Sequence, residues 1–205
     1  MTRRIPSELK KTGKLWIFCE GSTEKRYFND LRVIERVKIQ IIPKVAGVSR
    51  ADQILDKAKR FYKNEFMINE DRFDINRDRI ACVFDKDDNN TKDIFDSIRK
   101  ETIDDIILVY SNPSFEYWIL CHAGYYNSSS LDQKDVYELV LKKMGFDPKK
   151  EHKLYDRTKN NINIAIKNAK DILKIHQKCR VELISRDSTP LTLVYLLIEI
   201  IDNYK

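Results

Sequence analysis

The sequence predicts an α/β fold: a four-stranded, mainly parallel sheet with helices on both faces, followed by a helical C-terminal lobe. Three short apolar runs, Leu15–Cys19, Ile80–Phe84 and Ile106–Tyr110, show no alternation of polar and apolar residues. Strands that are buried on both faces have this pattern. Amphipathic helical patterns separate the runs. Because strands that alternate with helices form crossover connections, the sheet is expected to be parallel.

The first part of the chain carries the alternating elements. The predicted strands are 15–19, 38–42, 80–84 and 106–110. Apolar residues at helical spacing predict helices over 23–36 and 50–66, and a third that begins at 88–90. Pro43 ends the second strand, since proline has no N–H to donate to a neighbouring strand. Residues 1–123 are therefore expected to form the α/β core.

The chain after Pro113 carries few strand signals. Helices are predicted over 113–123, 132–144, 161–178 and 190–203, and Val181–Ile184 is the only candidate strand there. Residues 124–205 are therefore expected to form a helical, basic lobe packed on the core.

The basic character of this lobe is concentrated in segment 149–180. The segment contains ten Lys or Arg and three acidic residues, so its net charge of +7 accounts for the +6 of the whole chain. Four of its lysines recur on one face of a predicted helix: Lys167, Lys170, Lys174 and Lys178. Such a face is either solvated or in contact with a phosphate backbone.

Composition bounds the class of protein. A length of 205 residues fits one domain with an appended lobe, and a pI of about 9.0 favours an acidic partner such as nucleic acid. The four cysteines show no CxxC spacing, which predicts reduced thiols rather than disulfides or a zinc site. The start of the chain is polar, and no apolar run approaches the roughly 18 residues of a membrane span. A cytoplasmic protein without membrane contact is expected.

Carboxylates follow two of the apolar strands. Glu20 comes directly after the first strand, and Asp85 and Asp87 follow the third. Ligands of open α/β sheets bind outside the carboxyl ends of the strands, so neighbouring parallel strands would bring these three side chains together. Mg²⁺ prefers such oxygen ligands. Each fragment alone is also compatible with a solvated turn or a helix cap, and the two together favour a divalent-metal site.

Two residues beside Glu20 have simpler structural interpretations. Gly21 permits the turn after the first strand. Glu24 falls in the first turn of the predicted helix, where an acidic side chain complements the helix dipole. We therefore expect Glu24 to serve the helix rather than a metal.

A third motif, Ser111–His122, follows the fourth strand. Asn112 as N-cap and Pro113 at the first helical position predict a helix start, whose N–H groups would offer an anion site at the same sheet edge. No capping box accounts for Glu116, which is either an acid favoured by the helix dipole or a fourth active-site carboxylate. His122 is interpreted as a packed histidine, with proton transfer as the alternative.

The three motifs together resemble known families. Strand-Glu-Gly followed by strand-Asp-x-Asp resembles the Toprim domain of topoisomerases, primases and OLD-type nucleases. More specifically, CEGSTEKRYF, VFDKDD and SNPSFEYWILCH, in that order, are similar to the RloB-like family of bacterial and archaeal restriction and defence loci. The family often carries an Asn-Pro-x-Thr element before its last helix, whereas residues 186–192 here have the sequence RDSTPLT.

The resemblance implies a nuclease of the Toprim type, dependent on Mg²⁺ or Mn²⁺, in an antiphage or abortive-infection system. It gives Glu20, Asp85 and Asp87 the metal role and includes Glu116 in the site. Lys86 or a basic residue of segment 149–180 would stabilise the developing charge.

The expected partner is nucleic acid, either DNA or RNA with tRNA included. The resemblance also implies a partner ATPase and leaves the oligomeric state open.

Two other functions compete with this hypothesis. One is a non-catalytic nucleic-acid-binding or effector subunit of a multi-protein defence complex, in which the acidic cluster is vestigial or regulatory. The other treats Asp85 as a phosphoacceptor of the receiver type. That architecture expects paired acids after the first strand and a lysine after the last, and the sequence has neither in clear form.

Overall fold

The computed structural model describes residues 14–42, 50–68, 78–86, 91–101 and 106–202. The strands are β1 (Leu15–Cys19), β2 (Ile39–Ile42), β3 (Arg79–Asp85), β4 (Ile106–Asn112) and β5 (Leu191–Thr192). The helices are α1 (Ser22–Glu35), α2 (Ala51–Ile68), α3 (Lys92–Glu101), α4 (Glu116–Cys121), α5 (Gln133–Met144), α6 (Leu154–Thr158), α7 (Ile162–Lys178) and α8 (Val194–Asp202). A short 3₁₀ turn at Lys159–Asn161 joins α6 to α7.

The sheet is mixed and mostly parallel. Its strand order is β2-β1-β3-β4-β5, with β1 to β4 parallel and β5 antiparallel to β4. The four predicted strands are all present, and the prediction of an α/β fold is confirmed. The fifth strand was not predicted.

The end of the chain departs from the expected helix pattern. Val181–Ile184 forms no strand, and the predicted helix over 190–203 begins only at Val194. Its first residues instead form β5, where Ser111 pairs with Thr192 and their hydroxyls lie 3.1 Å apart. A segment of two residues has too little pattern in the sequence to be recognised as a strand. Only the pairing with β4 makes Leu191–Thr192 a strand.

Strand order places a switch point between β1 and β3. The chain leaves β1 toward β2 on one side of the sheet and leaves β3 toward β4 on the other. Right-handed crossovers in this order put α1 on one face and α2 and α3 on the other, and α2 packs against α3. The carboxyl ends of β1 and β3 therefore meet where open α/β sheets bind their ligands.

The apolar runs are buried as their pattern predicts. Every residue of β1 and the apolar part of β3 lies in the core, including Cys19 and Cys82. All six residues of α4 are buried, and this helix packs against α5 and α7, while α6 packs against α1. One hydrophobic core runs through residues on both sides of position 123, and the predicted domain boundary there stays a prediction. None of the described helices combines the length and apolar character needed to cross a membrane.

Candidate active site

The carboxyl ends of β1 and β3 bring two carboxylates together. The Glu20 N–H donates to Val83 O at 3.0 Å, which continues the parallel ladder past the end of β1. Oε2 of the Glu20 side chain then accepts a hydrogen bond from the backbone N–H of Asp85 at 3.1 Å. Glu20 and Asp85 are therefore neighbours at the switch point, as the strand pairing predicts. Asp87 lies outside the described residues, and its place beside them stays a prediction.

Glu116, the first residue of α4, belongs to the same group. Its side chain lines one cavity with Glu20 and Asp85 and is only 4% exposed. Oγ1 of Thr23 donates to Oε1 of Glu116 at 3.3 Å, so a side chain of α1 orients this carboxylate. The structure thus places Glu116 among the site carboxylates, where the sequence left two interpretations open.

Glu24 is a fourth carboxylate of the site, which the helix-dipole interpretation missed. It lines the cavity and is only 3% exposed. Its carboxylate packs against Gly21, where an added Cβ would lie 2.9 Å from Oε1 and closer still to Oε2. Gly21 has φ −109° and ψ 173°, an extended conformation open to any residue. Gly21 is therefore not needed for a special turn, contrary to the prediction. A side chain there would displace the end of the Glu24 side chain, so this glycine is the sequence signal that could have pointed to Glu24.

Replacing Gly21 by alanine is expected to destabilise the protein through its contact with Glu24. The new Cβ would force the Glu24 carboxylate to move. Because this group is the flexible end of a side chain that lines a cavity, the expected cost is at the low end of the about 1–3 kcal/mol of overpacking. The free energy of unfolding by denaturant, measured in the wild-type and the Glu24→Ala backgrounds, isolates this contact. Gly21→Ala should cost almost nothing once Glu24 is truncated, and an equal cost in both backgrounds would show that another group is the obstacle.

Burial and like charge dominate the electrostatics of the cluster. Burial raises the pKa of Glu24 from 4.5 to about 7, and repulsion from Glu116 and Glu20 adds to the effect. Burial also raises the pKa of Asp85 well above its ordinary value, again with repulsion from the three glutamates, while a hydrogen bond from the Phe115 backbone N–H acts in the opposite direction. In the described part of the chain, neither Glu24 nor Glu116 has an ion-pair partner. The cluster is thus rich in negative charge that burial penalises.

Cations share the cavity with these carboxylates. The cavity has a volume of about 790 Å³. Lys86, which directly follows Asp85, lines it, and the Lys86 backbone N–H donates to Ser111 O at 2.9 Å. Three further basic residues line it from distant parts of the sequence, and we call them the lining cations: Lys134, Lys149 and Arg186. Lys86 was predicted from the sequence, and Lys149 lies in the basic segment, whereas Lys134 and Arg186 were not predicted.

The chemistry of the donor set fits a divalent cation. Carboxylate oxygens are the ligands that Mg²⁺ and Mn²⁺ prefer, and a cation among them would offset the repulsion that raises their pKa values. Within the described ranges, no group of three or more His, Cys, Asp or Glu side chains is arranged to hold a metal ion. Glu20 and Asp85 could supply carboxylate oxygens to an ion, and the predicted metal site, with Asp87 as its third ligand, stays a prediction.

Asn112 does not cap a helix, and that prediction is wrong. It is the last residue of β4, and α4 begins only at Glu116, after an N-cap residue, Phe115, that makes no side-chain cap hydrogen bond. The Asn112 amide instead donates to Ser185 O at 3.2 Å and to Arg186 O at 3.3 Å. The predicted anion site at a helix start is therefore not formed. Asn112 holds the 185–189 loop beside the sheet edge.

His122 is a packed histidine, as the simpler interpretation predicted. It is 1% exposed, its ring lies against Trp118, and its Nδ1 is 2.9 Å from Trp118 O. Burial lowers the pKa of His122 to about 4, which keeps the ring neutral at physiological pH. It is not among the residues that line the cavity.

Of the five lysines predicted to bind nucleic acid, Lys86 lines the cavity, and the other four lie on α7, away from it. Lys170 forms an ion pair with Glu199, and its Nζ lies 5.4 Å from the centre of the Tyr195 ring. Lys174 pairs with Asp171 at 2.9 Å. Lys167 and Lys178 are exposed. The structure does not bring this face together with the carboxylates, and its predicted role stays a prediction.

Comparison with known proteins identifies a family. A family model described as "RloB-like protein" matches residues 15–201. The matched region includes every residue that lines the cavity. No curated protein and no solved structure matches the chain.

Proposed function

The chain belongs to the RloB-like family, and on that premise we propose that it is a metal-dependent nuclease that hydrolyses phosphodiester bonds of nucleic acid. The observation that carries the proposal is the meeting of Glu20 and Asp85 at the switch point of the sheet, where the Asp85 N–H donates to Glu20 Oε2 at 3.1 Å. Buried carboxylates at this position, with cations lining the same cavity, suit the binding of a metal and a phosphate together.

The proposed roles of the described residues follow from where their side chains lie, and that of Asp87 follows from the family resemblance. Glu20, Asp85 and Asp87 would hold Mg²⁺ or Mn²⁺, whose chemistry when bound would be to lower the pKa of a water and to stabilise charge on the phosphate. Glu24 and Glu116 supply the further carboxylates, either as additional ligands or as the base that accepts the proton of the attacking water. Lys86 offers a cation to the developing negative charge.

The proposed fold type is a Toprim domain, and the proposed setting is a prokaryotic defence system with a partner ATPase. Four parallel strands, with Glu20 after the first and Asp85 ending the third, support the fold type. The family membership supports the setting, since the RloB-like resemblance includes restriction and defence loci.

A cleavage panel tests the proposal. Purified protein is incubated with unpaired DNA, duplex DNA, tRNA and other RNA, each with Mg²⁺ and with Mn²⁺, alongside Asp85→Ala. We expect at least one substrate to be cut by the wild type and none by the variant. Nucleic-acid binding without cleavage in every arm would contradict the nuclease proposal and would favour a non-catalytic effector subunit.

A further inference from the structure

We propose that an unpaired nucleic-acid strand enters the cavity along Lys134, Lys149 and Arg186, and that these lining cations, rather than the α7 lysines, hold its phosphates. The inference rests on the proposed function of the cavity and names the form of its substrate. It differs from the sequence-based prediction, in which the lysine face of α7 contacts nucleic acid, because it assigns that contact to the cavity lining.

Lys149 is held in place at the cavity by its surroundings. Its Nζ lies 5.0 Å from the centre of the Tyr137 ring, a cation–π distance that positions the charge. Its backbone N–H donates to Oδ1 of Asp147 at 2.9 Å, which fixes the loop. The cation is therefore presented by an ordered loop beside α5, and Lys134 lies in the first turn of the same helix.

A hydrogen-bonded link joins this loop to the carboxylates. Nη2 of Arg26 lies 3.2 Å from Pro148 O, to which it donates, and 3.5 Å from Thr23 Oγ1. The Thr23 hydroxyl in turn donates to Glu116 Oε1 at 3.3 Å. The position of the Lys149 loop is thus tied to the position of Glu116, as the joint binding of a strand and its scissile phosphate requires.

Arg186 reaches the cavity from a separate segment. Its carbonyl oxygen accepts from the Asn112 amide, and Thr189 Oγ1 donates to Asn112 Oδ1 at 2.7 Å. These contacts fix the 185–189 loop at the end of β4, next to Asp85 on β3. Positive charge therefore approaches the carboxylates from two unrelated parts of the chain, as expected for a strand that runs across the cavity.

The α7 lysines offer a weaker site for phosphates. Lys170 and Lys174 pair with Glu199 and Asp171. Lys134 of the lining cations likewise pairs with Glu138 at 3.9 Å, so position rather than ion pairing separates the two surfaces. None of the four described lysines on this face lines the cavity. A strand bound there would lack a direct contact with the site carboxylates.

The size of the cavity favours an unpaired strand over a duplex. A volume of about 790 Å³ falls within the roughly 300–1,000 Å³ of small-ligand sites, which accommodates a few nucleotides of one strand. Glu20 and Glu116 are 6% and 4% exposed, so a phosphate must enter the cavity to reach them. A duplex is stiff and carries its phosphates on its outer surface, whereas an unpaired strand can bend into a basic groove.

A binding experiment with two charge-matched double variants tests this inference. Lys134→Ala/Lys149→Ala removes two lining cations, and Lys167→Ala/Lys178→Ala removes two exposed charges of α7. Both are made in the Asp85→Asn background with Mg²⁺, so that binding is measured without cleavage. The measurement is the fluorescence anisotropy of labelled DNA and RNA oligonucleotides, unpaired or annealed to their complements, between about 50 and 200 mM salt.

The lining variant is expected to bind the unpaired strand roughly 20-fold more weakly near 0.1 M salt. The slope of log K against log salt should shrink by about 1.4, since each single-strand phosphate contact contributes about 0.7. The affinity of the α7 variant for the unpaired strand should change by less than about twofold, because exposed charges at a distance are screened. The duplexes should bind more weakly than the unpaired strands.

Equal losses in both variants would show that net charge rather than position determines binding, and would overturn the inference. A loss confined to the α7 variant, no loss in either, or tighter binding of the duplexes would overturn it as well. The outcome is separable from the proposed activity. If the wild type cuts nothing while the lining variant alone loses binding, the nuclease proposal fails and this inference stands. If the wild type cuts a substrate but the lining variant binds it as tightly as before, the nuclease proposal stands and this inference fails.

Discussion

Asp85→Asn is expected to lower the rate of metal-dependent cleavage by at least about a thousandfold. The substitution keeps the shape of the side chain but removes the charge that would hold the metal. Glu20→Gln should have a similar effect, because its carboxylate lies against the Asp85 backbone. Single-turnover cleavage of a substrate identified in the panel, under excess enzyme, measures the loss in the chemical step.

The control for this prediction is Glu182→Gln, the same chemical change at an exposed side chain that has only a 3.8 Å ion pair with Arg99. It should cleave at the wild-type rate. Thermal unfolding without metal should show that Asp85→Asn and Glu20→Gln remain folded, since each removes one like charge from a crowded, buried cluster. Cleavage at the wild-type rate by both site variants would refute the assignment.

Without metal, the protein is expected to lose stability as pH rises from about 5 to 8. The pKa of Glu24 is 4.5 in its ordinary state and about 7 in the folded protein, so the folded state binds more protons than the unfolded state between these values. The free energy of unfolding therefore falls with rising pH. The loss of stability that ionisation of Glu24 causes is complete above pH 7, at about 3 kcal/mol. Asp85, whose pKa is also raised, acts with the same sign.

Thermal unfolding in EDTA at pH 5 and pH 8 measures this effect, with a loss on the order of 5–10 °C at the higher pH. Glu24→Gln removes the titrating group, so it should flatten the pH dependence and raise the unfolding temperature at pH 8. Mg²⁺ should stabilise the wild type at pH 8 more than at pH 5, because protons and metal compete for the carboxylates. Identical pH profiles for the wild type and Glu24→Gln would contradict this account.

The sheet was predictable from sequence because its strands carry strong local signals. Leu15–Cys19 and Ile80–Phe84 are unbroken apolar runs, and burial on both faces is the physical reason for that pattern. The convergence of Glu20 and Asp85 was predicted on the condition that their strands are parallel neighbours, and the pairing of β1 with β3 meets that condition.

The features that sequence analysis missed depend on contacts between distant residues. Glu24 was assigned to the helix dipole because its neighbours along the chain explain it, whereas its close approach to Gly21 appears only in three dimensions. Asn112 has the form of a helix cap in the sequence, but the 185–189 loop takes up its hydrogen bonds. Lys134 and Arg186 stand outside the basic segment, so charge counting along the chain gave no reason to select them.

Crystals grown with Mn²⁺ test directly whether these carboxylates hold a divalent ion. We expect an anomalous-scattering peak within about 2.0–2.3 Å of carboxylate oxygens of both Glu20 and Asp85. The same map would show whether Asp87 is the third ligand. A Mn²⁺ peak elsewhere in the protein, with the Glu20 and Asp85 carboxylates bound only to protein groups, would contradict it.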